Sequence, residues 1–182
     1  HYGLDETNTN LDTLSAEQKT IAAVAEMYHT ASLMHDDVID KASTRRGKDS
    51  MNALWGQQWS IFSGDYSVAL GSMLVASLGH EEVLKHKIIF SFKNNLQVTT
   101  LMSKIVSSLV LGELQQMSQV GKPKDSDQRF NAYLAKTFNK TASLMAYSCQ
   151  AVTLLAQRHI QQSSSHSWKN TDDKLPQLAY NY

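Results

Sequence analysis

The chain has 182 residues, 42% of them hydrophobic and 19% charged, a balance that suits one soluble globular domain. Its seventeen basic and seventeen acidic side chains cancel, which argues against a protein built to grip nucleic-acid backbone. A single cysteine, Cys149, excludes an internal disulfide and a cysteine zinc cluster, and no apolar run approaches the roughly 18 residues that cross a bilayer.

The chain opens on His1 and stops at "LPQLAYNY" without a helix stop signal, so both ends read as cuts, and a targeting segment would lie upstream of what is visible. Only two prolines occur, Pro123 and Pro176, and sustained period-two alternation is absent, so the pattern predicts an all-α fold. Residues 15–40 read as one long helix, with Ser15 as N-cap and Gln18 closing a capping box. The polar stretch "KASTRRGKDS" reads as a loop, and residues 51–58 as a short helix around Trp55. An apolar helix is expected to open near Asp65 and end at Gly79. Residues 98–119 and 127–157 read as two more helices joined by a turn at "GKPKDSD". Two stretches look foreign to this helical run. Residues 86–98 mix β-branched and aromatic residues with Lys and Asn, and residues 158–174 are rich in Ser, Gln and His; both read as insertions or flexible loops within one domain spanning 1–182.

The chemistry concentrates in "LMHDDVIDKASTRRGKD", residues 33–49. Asp36 and Asp40 are four apart and share a helix face, with Asp37 about 100° round from Asp36. His29, two turns before Asp36, lies on nearly the same line, and Glu26 is close to it. A lone Asp-Asp-x-x-Asp is as readily a solvated helix end. Here the neighbours Leu33, Met34, Val38 and Ile39 are apolar, so the carboxylates are not simply one charged face. Grouped carboxylates are hard ligands suited to magnesium, which keeps some waters and shares its shell with phosphate oxygens. Arg45 and Arg46 follow on the loop, and guanidinium forks bind phosphate bidentately. Together they suggest a diphosphate held by magnesium from one side and arginine from the other.

The stretch "EMYHTASLMHDDVIDKASTRRG" resembles the first aspartate-rich region of the trans-polyprenyl diphosphate synthases, the head-to-tail chain-elongating prenyltransferases. Gly64–Asp65, "GELQQM" at 112–117, "YLAKTFNKTASLMAYSC" and the terminal "AYNY" extend the resemblance over most of residues 15–156 and the chain end. Within that family the chain is similar to the long-chain branch, the solanesyl and decaprenyl diphosphate synthases, and the resemblance implies a role in making the ubiquinone side chain.

The resemblance implies an isoprenoid-synthase helical bundle around a central substrate cavity, truncated here at both ends. It implies Mg2+ bound by Asp36 and Asp40 with Asp37 in support, the allylic diphosphate on Arg45, and isopentenyl diphosphate on Arg46 and His29. Of two Lys-Thr pairs, the following "ASL" favours Lys140 and Thr141 over Lys136 and Thr137 as the catalytic pair at the allylic diphosphate. A chain-length pocket is expected near Tyr28, Ala31 and Ser32. There the small residues either leave a tunnel open or serve close helix packing, and Tyr28 either caps the tunnel or points aside. The implied partners are a second synthase subunit, as homodimer or heteromer, with no nucleic acid and no transmembrane segment. A mitochondrial matrix site follows if the ubiquinone assignment holds. A Gly-Lys-x-x-x-Arg-Pro loop and a second aspartate-rich motif, both expected of the family, are not found, and "TDDK" at 171–174 is no substitute. The 182-residue chain alone is therefore expected to have little or no synthase activity. A non-catalytic partner subunit is the alternative, although degenerate subunits tend to lose the aspartates kept here. A class I terpene cyclase is disfavoured by the Arg-Arg-Gly and Lys-Thr signals.

Overall fold

Ser15 starts the first helix as its spacing predicts. Its hydroxyl accepts the Gln18 backbone N–H at 3.2 Å, and the Gln18 side-chain oxygen accepts the Ser15 N–H at 2.9 Å, so two orphan donors are satisfied reciprocally. Helix α1 then runs Ala16–Ile39 and buries Ile21, Val24, Tyr28 and Ala31 on one stripe. The computed structural model describes residues 14–78, 88–117, 125–163 and 175–181.

The "KASTRRGKDS" segment is a small hairpin rather than an open loop. Strand β1 (Thr44–Arg45) pairs antiparallel with β2 (Lys48–Asp49). The reversal is made by Arg46 and Gly47, both left-handed, with φ of 51° and 78°. Ser50 fastens the hairpin: its hydroxyl donates to the Ala42 carbonyl at 2.7 Å and accepts the Ala53 N–H at 3.1 Å, capping the short helix α2 (Met51–Trp55).

Helix α3 spans Gln57–Ser77, so Asp65 sits inside it rather than at its start. Gly79, the expected helix end, lies outside the described residues, and the glycines within α3 are contact points. Gly64 and Gly71 are buried where α3 crosses α1, and a Cβ there would meet the His35 ring and the Tyr28 ring respectively. The Tyr28 hydroxyl closes the same contact with the Ser72 hydroxyl at 3.0 Å. Gly64→Ala is expected to destabilise the chain by about 1–3 kcal/mol through overpacking, read as a lowered melting temperature.

Helix α4 runs Ile88–Met117 and takes in residues 88–98, which are therefore helical and not a loop. β-Branched residues lower helix propensity by only tenths of a kcal/mol each, too little to stop a helix from running through them. The single helix expected over 127–157 is interrupted. Helix α5 (Ser126–Thr137) leads into a π turn at Phe138–Ala142, and α6 (Ser143–Ser163) follows. Residues 158–163 thus belong to α6, while 164–174, including "TDDK", lie outside the described residues. The short helix α7 (Leu175–Asn181) carries the terminal Tyr180, which stacks with Tyr147 and Phe138 at centroid distances of 5.2 and 6.1 Å.

The core lies between α1, α3, α4 and α6. Ile21, Val24 and Tyr28 meet Val75 and Leu78 of α3, Met102 and Ile105 of α4, and Ala151 and Leu155 of α6, all nearly or fully buried. Gln18 extends this contact by donating its side-chain amide to the Val152 carbonyl at 3.4 Å. The antiparallel stack leaves one side of α1 facing α4 and the π turn, where the sequence placed its carboxylates.

Candidate active site

A cavity of about 690 Å³ opens between α1, α4, the π turn and α6. Its α1 wall runs from Asp36 through Ser32, His29 and Ala25 to Ala22, which at 1.5 Å per residue is roughly 21 Å of helix. The opposite walls are mainly apolar, with Leu109 and Leu114 from α4 and Leu144 and Met145 from α6. Asp36, Glu113, Lys140 and Thr141 meet at one end, while Glu26, His29, Ser32 and Ser148 are spaced along the rest. The result is a long apolar slot with a charged mouth.

The mouth is built from two facing helices and the π turn between α5 and α6. Such a turn rotates the side chains that follow it, and it often marks a functional position. Lys140 lies in it and reaches across: its Nζ stands 2.9 Å from Glu113 Oε1 and 3.5 Å from Asp36 Oδ2, and donates to Gln116 Oε1 at 2.9 Å. Burial pushes the Asp36 carboxyl above its usual range, and the Glu113 carboxylate beside it pushes the same way, outweighing the opposite pull of Lys140. The Lys140 ammonium is itself held above its usual range by Glu113 and Asp36, against the cost of its own burial. Glu113 Oε2 is buried and has no hydrogen-bond partner.

The structure brings His29, Ser32, Asp36, Lys140 and Thr141 onto this cavity. It sends other expected residues elsewhere. Asp37 is nearly fully buried away from the slot, and Arg45 clasps it with Nε at 3.0 and 2.9 Å from its two oxygens and Nη2 at 2.7 Å from Oδ1. Arg45 is thereby committed to the protein, and Arg46 is exposed on the hairpin turn. Asp40 ends α1 as its exposed C-cap, one turn beyond Asp36. Tyr28 and Ala31 point aside into the α1–α3 contact, both at most 2% exposed, so of the expected chain-length residues Ser32 alone lines the slot. Lys136 faces the Tyr133 ring at 5.9 Å, which leaves Lys140 as the lysine of the mouth.

Glu113 and Gln116, in the family-like stretch "GELQQM", join the site although the sequence pattern assigns them no role. The signal was available: a Glu three positions before a Gln, on an otherwise apolar helix, shares its face. His35 was missed as well. Its Nε2 lies 3.2 Å from the Ile61 carbonyl oxygen and 3.4 Å from Asp65 Oδ1, pinning α3 to the residue next to Asp36.

Among the described residues no cluster of three His, Cys, Asp or Glu side chains is grouped to hold a metal ion. The two carboxylates at the mouth still suit a hard dication that keeps most of its waters and shares phosphate oxygens. One of their oxygens is buried without a partner, and Asp36 is costly to ionise where it stands unless positive charge arrives. No described helix is long and apolar enough to cross a membrane.

Known proteins share the sequence and the fold of this chain. The all-trans-polyprenyl-diphosphate synthase of Mus musculus is 40% identical over 148 residues, which is 81% of this chain and 32% of that protein. The decaprenyl-diphosphate synthase subunit 1 of Schizosaccharomyces pombe is 38% identical over 143 residues, 77% of this chain and 34% of that one. The chain thus spans about a third of the length of these relatives. Among solved structures, the heptaprenyl diphosphate synthase of Staphylococcus aureus superposes with a TM-score of 0.61 at 26% identity, covering 91% of this chain and 44% of that one. An Arabidopsis medium/long-chain length prenyl pyrophosphate synthase in its apo form gives 0.56 at 28% identity, over 90% and 40% of the two chains. With the polyprenyl synthetase family model matching residues 5–174, the helices that frame the slot and the carboxylates at its mouth belong to a member of the polyprenyl synthetase family.

Proposed function

We propose that the chain carries the allylic half of a trans-prenyltransferase site, one that condenses an allylic diphosphate with isopentenyl diphosphate into a long all-trans polyprenyl diphosphate. The carrying observation is the slot itself: apolar side chains of α4 and α6 face roughly 21 Å of α1, and Asp36, Glu113 and Lys140 charge one end. An allylic diphosphate has the same asymmetry. Its head group would sit at the mouth and its hydrocarbon tail would run toward Ala22.

In this reading Asp36 holds Mg2+, with Asp40 one turn beyond it and Asp37 behind it. Magnesium, when bound, neutralises charge developing on the departing diphosphate. Lys140 presents a cation to the same group, and Thr141 lies beside it on the cavity wall. The allylic C–O bond then ionises, the double bond of isopentenyl diphosphate attacks the cation, and a proton leaves, taken by the released diphosphate. His29, two turns down the α1 wall from Asp36 and half-buried, and Arg46 on the hairpin turn are the residues proposed to meet the second substrate. Arg45 acts through Asp37: the clasp stiffens the end of α1, which carries Asp36. The apolar walls exclude water from the cation.

The tail end of the slot bears on product length. Ser32→Phe is expected to narrow it and to weaken binding of long allylic diphosphate analogues about tenfold relative to short ones. Ala31→Phe, directed into the core, is expected instead to lower the melting temperature and leave that ratio unchanged. Paired calorimetric titrations with a short and a long analogue decide between them.

Subunit pairing, homomeric or heteromeric, and a place in making the ubiquinone side chain belong to the same proposal, as does a mitochondrial site. Relatives described as mitochondrial occur in Oryza sativa and Neurospora crassa, alongside a chloroplastic one in Arabidopsis thaliana. The test of the central reading is titration of the chain with a non-hydrolysable allylic diphosphate analogue, with and without magnesium. Heat that appears only with magnesium supports it. Binding indifferent to magnesium, or none from a folded sample, overturns it.

A further inference from the structure

We propose that Glu113 is a positioning residue that holds the Lys140 ammonium on the α4 side of the cavity mouth, keeping it from closing onto Asp36. This rests on the reading of the mouth as a diphosphate site.

Three oxygens compete for Lys140 Nζ, and the two on α4 win. Glu113 Oε1 and Gln116 Oε1 are each 2.9 Å away, against 3.5 Å for Asp36 Oδ2. The first two are full hydrogen-bond distances and the third is a looser ion pair. The backbone enforces this preference. Gly112 presses α4 onto the π turn so closely that a Cβ there would lie 2.7 Å from the Lys140 backbone nitrogen and 2.9 Å from its Cα. The residue after that contact is Glu113, so its carboxylate reaches Lys140 by virtue of where the two backbones touch. The Glu113 side chain is mostly buried, and its ion pair among the described residues is the one to Lys140.

The charge count shows why this matters. Asp36, Glu113 and Lys140 together carry one net negative charge. A lysine that moved wholly onto Asp36 would neutralise the carboxylate at which a dication is to bind. A lysine anchored on Glu113 and Gln116 leaves Asp36 available and stays in reach of the diphosphate. Lysine has a long, flexible stem and does not hold such a position unaided.

The test uses the full chain with magnesium and methylenebisphosphonate, a non-hydrolysable diphosphate. Glu113→Gln and Lys140→Met should each weaken magnesium-dependent binding about tenfold, and the double variant should bind no more weakly than Lys140→Met alone. Unchanged affinity in Glu113→Gln, or losses that add in the double variant, would overturn the proposal. A second readout needs no diphosphate. Modification by acetic anhydride, followed by peptide mass spectrometry, should be several-fold faster at Lys140 when Glu113→Gln is added to Asp36→Asn than in Asp36→Asn alone, where no second carboxylate can take the lysine up, and equal at Lys136 in both. Equal rates at Lys140 would also overturn it. If the parent fails to bind the bisphosphonate while Glu113→Gln still releases Lys140 in the Asp36→Asn background, the diphosphate reading falls and the positioning role stands.

Discussion

Asp36→Ala should abolish magnesium-dependent diphosphate binding, a loss of at least about a hundredfold measured by calorimetry. Asp36 is the member of the Asp-Asp-x-x-Asp motif that lines the slot, and the Asp37 oxygens are already taken by Arg45. The neutral isostere separates binding from stability. Burial, then Glu113, raise the Asp36 carboxyl above its ordinary 3.8, so the folded chain takes up this proton more readily than the unfolded one. That contribution favours folding in acid and is lost as pH rises through the raised value. At neutral pH the ionised Asp36 is therefore a net cost, and Asp36→Asn should bind no diphosphate yet melt no lower than the parent. The advantage should shrink toward pH 4. A clearly lower melting temperature for Asp36→Asn at neutral pH would contradict this account, and retained magnesium-dependent binding would remove Asp36 from the site.

Arg45→Ala should destabilise the chain by about 2–3 kcal/mol, and lower its melting temperature by about 5–10 °C. Removing one partner of a buried pair costs about 3–5 kcal/mol because the other charge is stranded; Arg45 is 35% exposed, so water recovers part of that. Asp37 is the stranded charge, 5% exposed and bound through both oxygens. Asp37→Asn in the Arg45→Ala background should restore much of the loss, since the uncompensated charge is then gone. If Arg45 were instead free to hold diphosphate, Arg45→Ala would weaken binding and leave the melting temperature unchanged. The two measurements on one variant distinguish a structural clasp from a substrate contact.

The sequence by itself determined the helical class, the capping box at Ser15, and the carboxylate face of α1. These are local: a cap, a 3.6-residue stripe and a motif spacing are set within a few turns of chain. It also placed Lys140 above Lys136 and a chain-length pocket on α1 ahead of the aspartates, both by way of the family resemblance. Tertiary structure decided what depends on a second element. Asp37 looked like a metal ligand because it adjoins Asp36. It is a buried ion-pair partner because the hairpin turn at Arg46 and Gly47 folds Arg45 back over it. Ala31 and Tyr28 looked like tunnel residues because they precede the motif, but α3 covers that face through Gly64 and Gly71. Glu113 had no assigned role until Gly112 let α4 touch the π turn, some 27 residues along the chain. Which of several similar side chains carries charge at the mouth is a matter of which helix packs against it, and that information is not contained in any one segment.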